Sequence, residues 1–309
     1  VLIMSLNRRH FLQTILAMGS GIITNSAFAL PATNQHRRII PSSGESIPAI
    51  GLGSWLTFGL DLDDKHEMMQ RQRIMQEFLN RGGGMLDSSP MYGSAQEVIG
   101  RCLDEIGHHK DLFSATKVWV SGQSKGVLQM ERSRLLWGLN RLDLMQVHNL
   151  LDWEVHLPTL YKMKEEGKIR YVGVTTSHGR RHEELVNVMK NEKLDFVQFT
   201  YNMLDREAEE YLLPLAKEKG IAVIINRPFQ RGGLFDHVGN KPLPGWAKDI
   251  DCSSWAQFFL KFVISHPAVT CAIPATSRVD HLIENVNVGY SRLPDKTMRT
   301  KMLEYFQSL

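Results

Sequence analysis

The chain has 309 residues, 43% of them hydrophobic and 22% charged, with a formal net charge of +3. That length accommodates one large α/β barrel or two smaller domains, and that apolar content supports a sizeable core. The charges are spread along the chain, which excludes the clustered basic face of a nucleic-acid binder.

At the N-terminus, Asn7-Arg-Arg-His-Phe-Leu-Gln13 precedes a mostly apolar run, Thr14 to Thr24. Ala27-Phe-Ala29 then has the A-x-A form of a cleavage site. Arg8 and Arg9, followed by x-Phe-Leu, resemble a twin-arginine export signal, with Asn7 and Gln13 in place of the usual Ser/Thr and Lys. The apolar run is too short to span a bilayer comfortably. Residues 1–29 are therefore expected to be an export signal peptide cleaved near Ala29. The mature chain is expected in a bacterial periplasm, with no membrane contact beyond the export machinery.

Residues 30–37 are polar and expected to be disordered, and 38–48 read as a hairpin around Ser42-Ser43-Gly44. A unit then repeats: short apolar strand, polar turn, amphipathic helix. The expected strands are Ala49–Gly53, Met85–Asp87, Leu112–Thr116, Leu144–Val147, Arg170–Val174, Phe196–Phe199, Ala222–Ile225 and Val269–Ile273. The expected helices are Lys65–Arg81, Ala95–Glu105, Lys125–Leu139, Pro158–Glu166, Arg181–Lys190, Glu207–Glu218, Ser254–Ser265 and Val279–Val286. A long loop, Pro228–Asp251, follows the seventh strand, and an extra helix, Asp295–Phe306, ends the chain. Eight such units over about 240 residues, without a compositional break, predict an α/β protein with one (β/α)8 TIM barrel spanning residues 30–309.

In such a barrel, functional groups gather at the C-terminal ends of the strands. Asp87, Lys117 and His148 stand at three consecutive strand ends, and Tyr92 follows Asp87 on its loop. A phenol with a reference pKa of about 10 is a poor acid at neutral pH, and a nearby ammonium is expected to lower that pKa. The carboxylate keeps the lysine charged, and the histidine can hydrogen-bond a substrate oxygen. Such a cluster lets Tyr92 protonate a carbonyl oxygen while a hydride reaches its carbon. Buried lysines need partners, which makes Lys117 hard to read as mere scaffold. Cys102, Cys252 and Cys271 are far apart and suggest neither a disulfide framework nor a zinc site. His178 and His182 lack a third ligand at useful spacing, so no metal is expected. Gly51-x-Gly53 lacks the rest of a Rossmann fingerprint. Gly232-Gly233 either offers backbone N–H groups to a diphosphate or simply allows a turn.

Taken in order, Gly51-Leu-Gly-Ser-Trp55, Asp87-Ser-Ser-Pro-Met-Tyr-Gly93, Thr116-Lys-Val-Trp119, the strand ending in His148, Tyr171-Val-Gly-Val-Thr175, Val197-Gln198 and Ile283-Glu-Asn285 resemble the aldo-keto reductases over about residues 38–290. The resemblance implies a (β/α)8 barrel that binds NADPH or NADH extended across the strand ends and reduces an aldehyde or ketone. It implies Tyr92 as general acid, Lys117 tuning it, Asp87 holding Lys117, and His148 orienting the carbonyl. Gln198 would bind the nicotinamide carboxamide, Glu284 and Asn285 the adenine, and Trp55 and Trp119 would wall the substrate pocket. Further cofactor contacts are implied for Gly53, Ser54, Thr175, Thr176, Asn226, Arg227, Pro228, Phe229, Gly232, Thr276 and Arg278.

Three positions depart from the family's pattern. Thr175-Thr176 replace Ser-Asn after the fifth strand, and Asn226 replaces the aromatic that stacks on the nicotinamide. Ala275 and His281 replace a lysine and an arginine that grip the adenosine 2′-phosphate, leaving Arg278 as a substitute. Two functions follow: a carbonyl reductase acting on a small substrate as a monomer, or a nicotinamide-binding barrel serving as a redox sensor or partner subunit with little turnover.

Overall fold

The computed structural model describes residues 34–107 and 110–309. The export-signal reading falls on residues 1–29, outside the described residues.

Residues 36 and 37, expected to be disordered, are ordered: the His36 backbone N–H donates to Gly289 O at 2.6 Å, and Arg37 opens the first strand. Strand β1 (Arg37–Ile39) pairs antiparallel with β2 (Ser46–Pro48), as the hairpin pattern predicts. This hairpin seals the N-terminal mouth of the barrel. Ile40 and Ile47 pack into the barrel interior with Met85, Phe113, Leu144 and Phe196. Tyr171 Oη donates to Glu45 Oε2 at 2.5 Å and lies 2.8 Å from the Ser43 hydroxyl, and Arg170 forms an ion pair with Glu45.

Eight parallel strands follow in chain order, each bonded to the next: β3 (Leu52–Gly53), β4 (Gly84–Asp87), β5 (Leu112–Val118), β6 (Leu142–Val147), β7 (Ile169–Thr175), β8 (Phe196–Thr200), β9 (Ala222–Asn226) and β10 (Cys271–Ala272). Bridges Ile50↔Ala272 and Gly53↔Ala275 bring the last strand back to the first, with Gly51 N–H donating to Ala272 O at 2.8 Å. The approach is too close for a side chain. A Cβ on Gly51 would lie 2.5 Å from Met85 O, and one on Gly53 would lie 2.7 Å from Ile273 O.

Alternation with period two decides what points inward. Met85, Phe113, Ala115, Leu144, Phe196 and Ile224 fill the barrel, whereas Leu86, Val118, Met145, Val147, Val197 and Ile225 pack under the helices. Counting on by twos from the interior residues reaches Asp87, Lys117, Gln146, Gln198 and Asn226. The interior thus turns from apolar to polar at the C-terminal mouth.

Two helices differ from the sequence pattern. The fourth spans Trp153–Glu165, starting five residues before Pro158, which the sequence takes as its start. Pro158 removes one backbone hydrogen bond inside the helix, but buried His156, Leu157 and Leu160 hold that turn against the sheet. The sixth splits into a 3₁₀ turn, Glu207–Glu209, and a helix, Leu212–Lys219. The loop after β9 carries structure of its own, including the short helix Gly233–Val238. Among the described residues, no helix is long and apolar enough to cross a membrane.

Candidate active site

Strand β4 ends at Asp87, and the inward phase of β5 brings Lys117 beside it. Lys117 Nζ donates to Asp87 Oδ1 at 2.6 Å and to Ser88 O at 2.8 Å. Both side chains are out of water, at 0% and 3% exposure, so neither charge is solvated and each depends on the other. Burial pulls the lysine pKa down, while the Asp87 charge and hydrogen bond push it up. Asp87 Oδ2 accepts from Gln198 Nε2 at 3.1 Å and from Gln146 Nε2 at 3.3 Å. Four polar groups of the barrel mouth, from β4, β5, β6 and β8, are thereby tied into one network.

The Ser88–Gly93 loop carries Tyr92 over this pair. Tyr92 N–H donates to Ser89 O at 3.0 Å, and Gly93, at φ +62°, turns the chain into the next helix. The phenol ring lies 5.3 Å from Lys117 Nζ, edge-on to His148 at 5.9 Å, and 6.4 Å from Trp55. Tyr92 Oη has no hydrogen-bond partner among the described residues, and the side chain lines a cavity. The expectation that Lys117 lowers the phenol's pKa is not met. Burial and then the Asp87 charge push it well above its ordinary value, and Arg227 pulls it down. Burial is the larger cause, and the Asp87 carboxylate beside the ammonium adds to it. Tyr92 is therefore a fully protonated donor rather than a poised phenolate.

His148 is 5% exposed, and its Nδ1 lies 2.9 Å from Ser89 Oγ. Burial and the Lys117 charge push its pKa down to about 2, so the imidazole is neutral. Ser89 Oγ also lies within 3.4 Å of Met91 N–H, from which it accepts. When Ser89 donates to Nδ1, the ring proton sits on Nε2, available to an oxygen in the cavity. Ser89 and Gln146 escaped the sequence reading. Gln146 was legible, because it lies two residues after interior Leu144 and two before His148; Ser89 carries no such signal.

The cavity at the C-terminal mouth holds about 480 Å³. Among its lining residues are Asp87, Tyr92, His148, Trp55, Thr176, Gln198, Asn226, Arg227, Pro228, Phe229 and Gly232. Gln198 spends its amide N–H on Asp87, and its oxygen has no partner among the described residues. Thr176 Oγ1 is buried without a partner. The Asn226 amide is held at both ends: it accepts from Thr200 Oγ1 at 2.7 Å and donates to Thr176 O at 3.0 Å.

Other expected site residues stand outside the lining. Lys117 lies behind Asp87. Gly53 and Ser54 lie at the end of β3, where Ser54 N–H donates to Asp87 O at 3.1 Å. Thr175 Oγ1 accepts from Asn149 N–H at 3.0 Å. Trp119 is 40% exposed on the rim, its ring 6.4 Å from His148. Thr276 Oγ1 accepts from Arg278 N–H at 3.1 Å, and the exposed Arg278 side chain is paired with Asp280. Glu284 and buried Asn285 ride on the helix Val279–Asn287. Among the described residues, no three His, Cys, Asp or Glu side chains are grouped to hold a metal ion.

Residues 49–301 match the family model described as the aldo/keto reductase family. The aldo-keto reductase YhdN of Bacillus subtilis is 28% identical over 210 residues, covering 63% of this chain and 62% of that protein's length. The uncharacterized oxidoreductase C215.11c of Schizosaccharomyces pombe is 34% identical over 225 residues, covering 66% of this chain and 69% of that protein. Among solved structures, an aldo-keto reductase from Klebsiella pneumoniae in complex with NADPH superposes with a TM-score of 0.72 at 21% identity, covering 89% of this chain and 95% of that one.

The neutral state of His148 is open to direct measurement. Its suppressed pKa means that the folded protein resists a proton that the unfolded chain takes up near pH 6.5, so this group costs no stability above that pH and costs progressively more below it. Titration of the His148 ring by NMR is expected to show no protonation between about pH 5 and 9, far from the reference value. A midpoint near the ordinary histidine value would contradict the burial argument.

Proposed function

The chain belongs to the aldo/keto reductase family, and from that premise we propose that it reduces the carbonyl of an aldehyde or ketone with Tyr92 as the proton donor. The observation that carries this reading is the joined set Asp87, Lys117, Tyr92 and His148 at one end of one cavity.

The cavity's free polar groups fit a nicotinamide cofactor. Thr176 Oγ1, a buried group without a partner, and the Gln198 amide oxygen in the same lining would meet a carboxamide, and a buried orphan such as Thr176 Oγ1 is costly unless a ligand satisfies it. NAD(P)H, when bound, supplies the hydride. The chain's own part is to hold the carbonyl oxygen between Tyr92 Oη and His148 Nε2 and to deliver the phenolic proton to that oxygen. Neutral His148 donates a hydrogen bond without adding charge. Lys117 and Asp87 fix the loop beneath Tyr92 and keep a cation near the phenolate oxygen that remains once Tyr92 has given up its proton. Asn226, held flat by two hydrogen bonds, offers its amide face where the family carries an aromatic. The sensor alternative has no support among the relatives, which are oxidoreductases.

Selectivity for the 2′-phosphate is weak on this reading, because Arg278 is engaged by Asp280 and Ala275 carries no charge. The test is turnover of benzaldehyde by the purified protein with NADPH and, separately, NADH, alongside Tyr92→Phe. The expected result is oxidation of both cofactors and a loss of about 100-fold or more in kcat for the variant, the range of general acid catalysis, with cofactor affinity retained. Equal rates in Tyr92→Phe would remove the proposed proton donor.

We also propose that residues 1–29 direct export to a periplasm, on the strength of Arg8, Arg9, the apolar run and Ala27-Phe-Ala29. Replacing Arg8→Lys together with Arg9→Lys is expected to retain the protein in the cytoplasm of a bacterial host. Undiminished export of that variant would refute the twin-arginine route.

A further inference from the structure

The cavity mouth carries two arginines that no carboxylate among the described residues closes into an ion pair, although half-buried Asp205 acts on Arg227 from a distance. Arg227 and Arg231 both line the cavity, and neither forms an ion pair among the described residues. Arg227 Cζ lies 5.0 Å and Arg231 Cζ 4.8 Å from the centre of the Trp55 ring, so both guanidinium groups stand against one indole. His178, also in the lining, feels Arg227, Arg180 and Arg231 together. The acid within the lining, Asp87, is already closed by Lys117. Cation–π contact offsets some of the repulsion between the arginines, but it neutralises nothing.

The turn that presents them is held under strain. Arg227, Gln230 and Arg231 have φ of +50°, +49° and +59°, left-handed values that side chains with a Cβ adopt only when the surroundings enforce them. The enforcement is visible in buried Asn202, whose Nδ2 donates to Arg227 O at 3.1 Å. The position is also specific. Trp55 is 6.4 Å from Tyr92, and Arg227 sits close enough to the phenol to draw its pKa down. The unspent cations therefore stand on the same side of the cavity as the proton donor.

Resting on the reductase reading, we propose that the substrate is an aldehyde or ketone bearing an anionic group, a carboxylate or phosphate, which Arg227 and Arg231 hold over Trp55 while its carbonyl reaches Tyr92 and His148. Guanidinium groups bind such anions through paired N–H donors, and two converging arginines suit an oxyanion better than any neutral tail. The diphosphate of the cofactor has the same chemistry, so the test separates the two sources.

The experiment compares kcat/KM for 4-carboxybenzaldehyde and benzaldehyde in the wild type, Arg227→Gln, Arg231→Gln and Arg231→Lys, with the dissociation constant of NADPH measured for each. The expected result is a wild-type preference of at least about tenfold for the carboxylate, the scale of one charge-assisted contact. Each glutamine variant is expected to bring that ratio towards one, and Arg231→Lys to keep part of it. Arg231 is exposed, so its variants are informative even if Arg227→Gln disturbs the strained turn. A wild-type ratio near one, with benzaldehyde still reduced, would overturn the proposal and leave the reductase reading intact. Equal losses on both aldehydes, with a parallel rise in the NADPH dissociation constant, would assign the arginines to the cofactor and also overturn it. Turnover of neither aldehyde would overturn both readings.

Discussion

The ion pair between Lys117 and Asp87 is the constraint on which the barrel mouth depends. Two charges without water are tolerated only when each is the other's partner and the remaining hydrogen-bonding capacity is filled. Ser88 O takes a second proton of Lys117, and the Gln146 and Gln198 amides fill the far oxygen of Asp87. Removing one charge from such a pair costs about 3–5 kcal/mol, because the other is left stranded. The arrangement constrains geometry more than it adds net stability. It sets the register of four strands against one another and gives the Tyr92 loop a fixed floor.

The electrostatics of the site follow from that pair. Burial, and after it the Asp87 charge, keeps Tyr92 protonated, and burial, and after it the Lys117 charge, keeps His148 neutral. Two hydrogen-bond donors of no net charge then face the cavity from below. Positive charge stands beside them at the cavity mouth, on Arg227 and Arg231 near Trp55. Burial and the neighbouring Arg231 bring the Arg227 pKa down to about 10, against the pull of Tyr92 and Asp205. A site of this form discriminates by the charge of what it admits and carries out its proton transfer with neutral groups.

Much of this was legible in the sequence. The eight apolar segments fall at the eight strands, and alternation from Phe113 through Ala115 to Lys117 is enough to point the lysine inward. The order of Asp87, Tyr92, Lys117 and His148 along consecutive units gave the convergence once the strands were taken as parallel neighbours. What stayed hidden depends on three-dimensional context. The sign of the Tyr92 shift turns on burial competing with a charge already paired, which no spacing encodes. Ser89 meets His148 across 59 residues of chain. In the sequence Arg278 reads as free for a phosphate, and its capture by Asp280 rests on side-chain geometry. Pro158 reads as a helix start because its ring lacks an N–H, yet tertiary packing carries the helix through it.

The most direct test of the central claim is a double-mutant cycle on kcat/KM combining Lys117→Met with Tyr92→Phe, each checked for folding by circular dichroism. If the buried pair acts through the tyrosine, the two changes belong to one unit, and the double variant loses no more than Tyr92→Phe alone. Losses that multiply would mean that Lys117 serves catalysis by a route independent of Tyr92, contradicting the account.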